Sequence, residues 1–155
     1  MVTKIEDNLY YDERSAGGLV YKKEKNKVLW LLIKTPGTKK DVDVYKFPKG
    51  HLKDDEFLKA AALREVEEEG KVKAKVVQKL GSNNYIIWDK IGKRKIIKKV
   101  TFFLMEYTEE SRLRYYDTEI VLERGWFEFK DALDALAYDS EKVLLKRAST
   151  LVCES

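Results

Sequence analysis

Apolar and polar positions along this chain change period several times, and each change marks an element. Residues 15–21 (SAGGLVY) and 28–34 (VLWLLIK) are short, nearly unbroken apolar runs separated by the polar KEKNK. They predict two strands joined by a turn, both apolar enough to lie inside a sheet. Residues 1–13 are mixed and polar without a period, which predicts a loose lead-in. Pro36-Gly37 marks a polar loop over 35–44, and residues 45–47 predict a short strand ended by Pro48. A helix is predicted over 56–69, and the alternation of 72–80 predicts a strand with one covered face. Residues 84–89 and 95–107 read as an antiparallel pair around a turn at Ile91-Gly92-Lys93, with 101–107 (TFFLMEY) buried. A polar loop over 108–118 leads to a last strand within 121–129. Two helices follow over 131–138 and 140–151, with Ser140 as N-cap of the second. Strands and helices mixed with hairpins predict a single α/β domain over residues 1–155, a curved mixed sheet between helices.

Composition narrows the class. At 155 residues, 44% hydrophobic and 37% charged, the chain is long enough for one real core under a busy surface. The net charge of +4 suits a phosphorylated ligand and is too small to mark a nucleic-acid binder, so no DNA partner is expected. Cys153, the only cysteine, cannot form an internal disulfide. The longest apolar run, VLWLLI, is far short of a membrane span, and no secretory leader opens the chain; a cytoplasmic protein, monomer or homodimer, is expected. His51 is the only histidine, so any triad needing an imidazole base has one candidate. The other reading of His51 is a partly exposed loop residue.

Within the 56–69 helix, Glu65, Glu68 and Glu69 are spaced i, i+3, i+4 and share one face, which earlier carries Leu58 and Ala61. Carboxylates at a helix C-terminus oppose the dipole at up to about 1 kcal/mol each, and three together repel one another. A hard divalent cation removes both difficulties, because Mg²⁺ takes oxygen ligands and keeps waters for substrate phosphates. The plainer alternative is a solvated acidic face balanced by Lys59, Arg64 and Lys71.

The spacing around those acids is Gly50, five residues, Glu56, seven residues, Arg64-Glu65-Val66, one residue, Glu68-Glu69. It resembles the signature of the Nudix hydrolases, G-x5-E-x7-R-E-U-x-E-E-x-G-U with U aliphatic. Six fixed identities at fixed spacing arise by chance roughly once in ten million start positions at average composition. One position departs: the last glycine of the pattern is Lys71, and Gly70 stands one residue earlier. Glycine at that place stops a helix in a left-handed conformation, so its displacement predicts a shortened helix end.

The resemblance covers nearly the whole chain, through SAGGLVY, FPKGH and the GWFEF-plus-helix ending, and implies an α/β/α sandwich. It implies hydrolysis of a nucleoside diphosphate linked to another moiety, with water as nucleophile. It further implies that Glu65, Glu68 and Glu69, with the backbone carbonyl of Lys49, ligate Mg²⁺ or Mn²⁺. Arg64, placed to pair with Glu68 or Glu56, fixes the carboxylates, and Glu56 and Gly50 are structural parts of the motif. Glu67 points to the opposite side. Glu119 is the candidate general base outside the signature, with Glu123 and Asp117 as alternatives, and a surface loop acid is the other reading of Glu119.

FPKGH resembles the form found in asymmetric diadenosine tetraphosphate hydrolases and their bacterial relatives. That implies a polyphosphate-bearing nucleotide as substrate, met by Lys49, Gly50 and His51, with Tyr85 as the tyrosine after the signature. Tyr85 and Trp88 could stack an adenine or could be core residues. Lys93, Arg94, Lys95, Lys98 and Lys99 form a basic cluster, of which Lys95 and Lys99 are the candidates for a polyphosphate tail; the cluster could equally solubilise an exposed edge. The alternatives are a housecleaning nucleoside triphosphatase, an RNA 5′-end pyrophosphohydrolase, a non-catalytic nucleotide-sensing module, and a basic RNA-binding domain.

Overall fold

The computed structural model describes residues 2–5, 10–114 and 120–154. Its organising element is a long strand, β2 (Tyr10–Glu24), which turns through Lys25 and Asn26, both at positive φ, into β3 (Lys27–Pro36). Two consecutive left-handed residues match the twist of a tight hairpin, so the KEKNK turn needs no glycine. β4 (Asp43–Lys46) pairs with β3, and β5 (Lys49–His51) pairs with β2, so residues 47 and 48 carry the chain from one strand to its neighbour. His51, expected in a loop, therefore ends a strand.

The helix α1 (Leu58–Gly70) follows, then β6 (Val72–Asp89) and β7 (Arg94–Glu110), one long hairpin. β8 (Glu123–Glu128), α2 (Phe129–Ala135) and α3 (Asp139–Glu154) complete the chain. The sheet order is β4-β3-β2-β7-β6, with β8 on β3. The β2–β7 pairing is parallel and the other ladders are antiparallel, which makes the sheet mixed as expected.

Alternation along the central strands sends side chains to two cores. Leu19, Tyr21, Trp30, Leu32, Phe102 and Leu104 pack against Ala132 and Leu136 of α2 and against Leu144, Leu145, Ala148 and Val152 of α3. Their neighbours Val20, Leu31, Phe103 and Met105 pack against Ala61, Ala62 and Val66 of α1. The layers are helix, sheet, helix, and period-2 strands between two helical layers account for them.

Several boundaries differ from the sequence reading. The expected lead-in over 1–13 contains β1 (Val2–Ile5) and the start of β2; the long edge of β7 supplies backbone partners that no local pattern announces. The gap expected at residues 81–83 is closed, because β6 runs through it with register shifts at Lys73/Ala74, Val76/Gln78 and Lys79/Gly81. β7 likewise extends to Glu110, into the expected polar loop. Ser140 is not an N-cap: it lies inside α3, and its hydroxyl meets that of Tyr85 at 3.1 Å. Among the described residues no helix is long and apolar enough to cross a membrane.

Candidate active site

α1 enters from Phe57 with no side-chain cap and leaves through Lys71, which takes the left-handed conformation itself at φ 58°. The helix is not shortened. The Lys71 N–H bonds the Glu67 carbonyl at 3.1 Å, and the motif's displaced glycine, Gly70, is the last helical residue. The Cβ of any other residue at position 70 would meet Leu31 Cδ2 at 2.9 Å, so close packing on β3 accounts for the glycine there.

The three glutamates at this end are buried, with Glu65, Glu68 and Glu69 only 4%, 6% and 1% exposed. That excludes the solvated acidic face. Arg64 is the counter-charge of Glu65 and Glu68. Its Nε and Nη2 bind both oxygens of Glu56 at 2.8 and 2.9 Å, while Nη1 reaches Glu65 Oε1 at 2.8 Å and Glu68 Oε2 at 3.1 Å. Nη2 also donates to the His51 carbonyl at 2.9 Å. A planar fork of five donors suits this multiple clasp, where a lysine would be a point charge. The fork holds the Glu56 carboxyl below its usual range and raises the guanidinium's own pKa. Glu69 is held separately: the Lys49 N–H donates to its Oε1 at 2.9 Å, and Arg124 Nε donates to its main-chain carbonyl. Glu67 points elsewhere, taking a bond from Ser111 at 2.7 Å.

Gly50 belongs to this cluster sterically. A Cβ there would fall 2.2 Å from the Glu65 carboxyl carbon, so the carboxylate occupies the space a side chain would fill. In donor chemistry the residues fit a hard divalent cation: several buried carboxylate oxygens, with the main-chain carbonyls of His51 and Glu69 nearby. In geometry the carboxylates are turned toward Arg64 and the Lys49 N–H. Among the described residues no three acidic, imidazole or thiol side chains converge as a ready coordination set.

Beside the cluster lies a cavity of about 610 Å³, within the range of small-molecule sites. Lys46, Lys49 and Lys98 supply positive charge to its wall, Tyr85, Tyr138, Ile86 and Ile87 supply apolar surface, and Glu141 also faces it. Lys49 joins the two halves, since its N–H holds Glu69 and its side chain lines the cavity.

The sequence candidates divide accordingly. Glu56, Arg64, Glu65, Glu68, Glu69, Lys49 and Gly50 are brought together. Tyr85 lines the cavity while packing against the core, whereas Trp88 is 54% exposed near the hairpin tip. His51 places Nδ1 3.4 Å from the Ser15 hydroxyl; burial, then Lys98, pushes its pKa down and favours a neutral ring. Of the lysines, Lys98 rather than Lys95 or Lys99 faces the cavity. Lys99 lines a small recess with Arg14, Leu58 and Thr101 instead, because neighbouring strand residues face opposite ways. Glu119 and Asp117 lie outside the described residues. Glu123 is engaged with Tyr45 at 3.0 Å and Lys34 at 3.7 Å.

Sequence reasoning missed Lys46, Arg124 and Glu141. For Glu141 a signal existed: it opens the i, i+3, i+4, i+7 stripe completed by Leu144, Leu145 and Ala148, where a carboxylate is out of place.

Comparisons with known proteins bear on the family and the fold. The NUDIX domain profile matches residues 12–147. The chain is 30% identical over 109 residues to the Mycobacterium tuberculosis protein MutT4, covering 70% of this chain and 42% of that protein. The chain thus spans less than half the length of that curated relative. Its fold is similar to a C. elegans Ap4A hydrolase in a binary complex, with a TM-score of 0.66, 22% identity, and 92% and 99% of the two chains covered. It is also similar to the NUDIX domain of Shewanella oneidensis NrtR complexed with ADP ribose, with a TM-score of 0.60, 17% identity, and 91% and 88% covered. At these identities the two solved structures speak to the fold alone.

Proposed function

The chain belongs to the NUDIX domain family, and from that premise we propose that it is a divalent-metal-dependent pyrophosphohydrolase acting on a dinucleoside polyphosphate such as diadenosine tetraphosphate. The observation that carries this reading is the sharing of Lys49 between a buried carboxylate cluster and a lysine-lined cavity with aromatic walls. A substrate with a long anionic tail and a flat base matches both halves.

In this reading Glu65, Glu68, Glu69 and the Lys49 carbonyl hold Mg²⁺ or Mn²⁺, which when bound supplies positive charge to the phosphate oxygens and to the attacking water. The chain's own residues do the rest. Lys46, Lys49 and Lys98 receive the polyphosphate, and Tyr85 and Tyr138 offer faces to a base. Arg64 keeps the carboxylates together before the metal arrives. Anhydride cleavage depends on charge neutralisation and a positioned water more than on covalent help, and this constellation offers both. Glu119 stays the candidate base.

The test is turnover of diadenosine tetraphosphate against nucleoside triphosphates and triphosphorylated RNA, in Mg²⁺ and Mn²⁺. Diadenosine tetraphosphate should have the highest kcat/KM, and its standing among the poorest substrates would move the protein to the triphosphatase or RNA-end class. Glu68→Gln and Glu69→Gln should each lower kcat about 10²-fold or more with folding kept.

The inward-turned carboxylates favour one second reading, a non-catalytic nucleotide sensor in which Arg64 permanently fills the cation's place. Tight nucleotide binding by a wild-type protein that hydrolyses none of the panel would select it.

A further inference from the structure

Glu141 has no part in the chemistry above, yet it is fully buried at the head of the apolar stripe of α3. A carboxyl group in that position is costly unless its bonds matter to the structure. One oxygen, Oε1, accepts the Phe47 N–H at 3.0 Å; the other, Oε2, is buried without a hydrogen-bond partner.

The place it holds is particular. β4 ends at Lys46 and β5 begins at Lys49, so residues 47 and 48 cross from β3 to β2 between two ladders. The Glu141 carboxyl does for Phe47 what a neighbouring strand would do elsewhere. Pro48 has no N–H, and its carbonyl accepts from Gly18 at 3.1 Å. The next donor, the Lys49 N–H, goes to Glu69 at 2.9 Å. Both main-chain donors of the crossing therefore end on carboxylates, one from each helical layer. The Phe47 ring is fully buried and packs edge-on against Phe102, so a shift at its nitrogen passes to Lys49 rather than dissipating.

We infer that Glu141 is a positioning residue: by holding the Phe47 N–H it fixes residues 47–49 so that the Lys49 N–H meets Glu69 and sets that carboxylate for its cation. The inference rests on the hydrolase reading for its purpose but not for its measurement.

The test uses the full chain with Glu141→Gln, which keeps an acceptor, Glu141→Leu, which removes it, and Glu141→Asp, which withdraws it by one methylene. Three quantities are read: hydrogen exchange of the Lys49 amide, affinity for Mn²⁺ alone by calorimetry, and the kcat and KM for diadenosine tetraphosphate. In Glu141→Leu the Lys49 amide should exchange faster, Mn²⁺ affinity should fall roughly tenfold, and kcat should fall more than KM rises, as for other outer-shell partners of metal ligands. Glu141→Gln should restore all three to within about threefold, a pattern that tracks the acceptor. Loss in both Leu and Gln variants would show that charge matters instead and would overturn the inference. So would a Leu variant that melts earlier but keeps Lys49 protection and Mn²⁺ affinity. If Glu141→Leu does not fold, the pair Asp and Gln decides: Asp impaired with Gln intact supports the inference, and Asp equal to wild type overturns it. A wild type that hydrolyses nothing sinks the hydrolase reading alone. Lys49 exchange still tests the tether, even in a wild type that binds no Mn²⁺.

Discussion

The two faces of the sheet bury acid in opposite ways. On the α1 face Glu56, Glu65 and Glu68 close around one guanidinium, and the bonds from Arg64 hold the Glu56 carboxyl below its usual range. On the α3 face Glu141 lies among leucines and is held by a main-chain N–H; burial pushes it up to about 7, only partly offset by the Phe47 N–H and by Lys49 and Lys46. The same functional group is held as an anion at Glu56, whose partner carries a formal charge, and is pushed toward the neutral form at Glu141, whose partner is a peptide dipole. One face buries its carboxylates against a guanidinium, while the other buries a carboxyl group against a main-chain N–H.

The largest way to break the contrast is Arg64→Met. With its guanidinium gone, the α1 face keeps uncompensated carboxylates, and urea denaturation at pH 7 in a chelator should show a loss of about 3–5 kcal/mol. The loss should shrink in saturating Mg²⁺, because a cation that binds only the folded chain adds stability by mass action. A loss as small as an exposed ion pair gives would mean that the cluster does not lean on Arg64.

Next in size is the pH dependence, where the faces should move in opposite directions. Glu141 is raised from 4.5 to about 7, so its contribution is complete below pH 4.5 and is lost as pH rises through 7, a swing of about 3 kcal/mol. Glu56 is lowered, so its contribution is present above 4.5 and is lost as pH falls through its folded value. Melting curves from pH 5 to 8 should decline for the wild type and flatten for Glu141→Gln; parallel curves would refute the assignment.

A smaller effect should come from Gly50→Ala, whose methyl group overlaps the Glu65 carboxyl. Overpacking of this kind costs about 1–3 kcal/mol, and Mn²⁺ affinity measured by calorimetry should fall with it. Unchanged stability would place Glu65 elsewhere. The smallest is Lys71→Gly, at the end of the same helix. Lys71 sits at φ 58°, and glycine should gain up to about 1 kcal/mol there, seen as a higher Tm.

Much of the α1 face was legible in the sequence. Spacing i, i+3, i+4 puts Glu65, Glu68 and Glu69 on one face of any helix, and Arg64 could reach Glu56 and Glu68 from where it stands. The α3 face was half legible: the stripe of Leu144, Leu145 and Ala148 showed a buried helix, and Glu141 on that stripe was a visible irregularity that went unread. What could not be read was register. Alternation along β7 puts Lys98 on the cavity side with Val100 and puts Lys99 on the other side with Thr101, and only the packed sheet shows which side carries the cavity. Strand β5 was hidden for a similar reason, since three residues after a proline carry no period.

The sequence by itself determined the order of the elements other than β1 and β5, the two-sided core and the acidic helix end, because each follows from distances of a few residues along a backbone of fixed geometry. Only the tertiary structure decided that Phe47 answers to Glu141, that Lys49 serves both the cluster and the cavity, and that Lys71 can stand in for glycine. Those depend on groups far apart in the chain, and no local period encodes which buried donor will meet which buried acceptor.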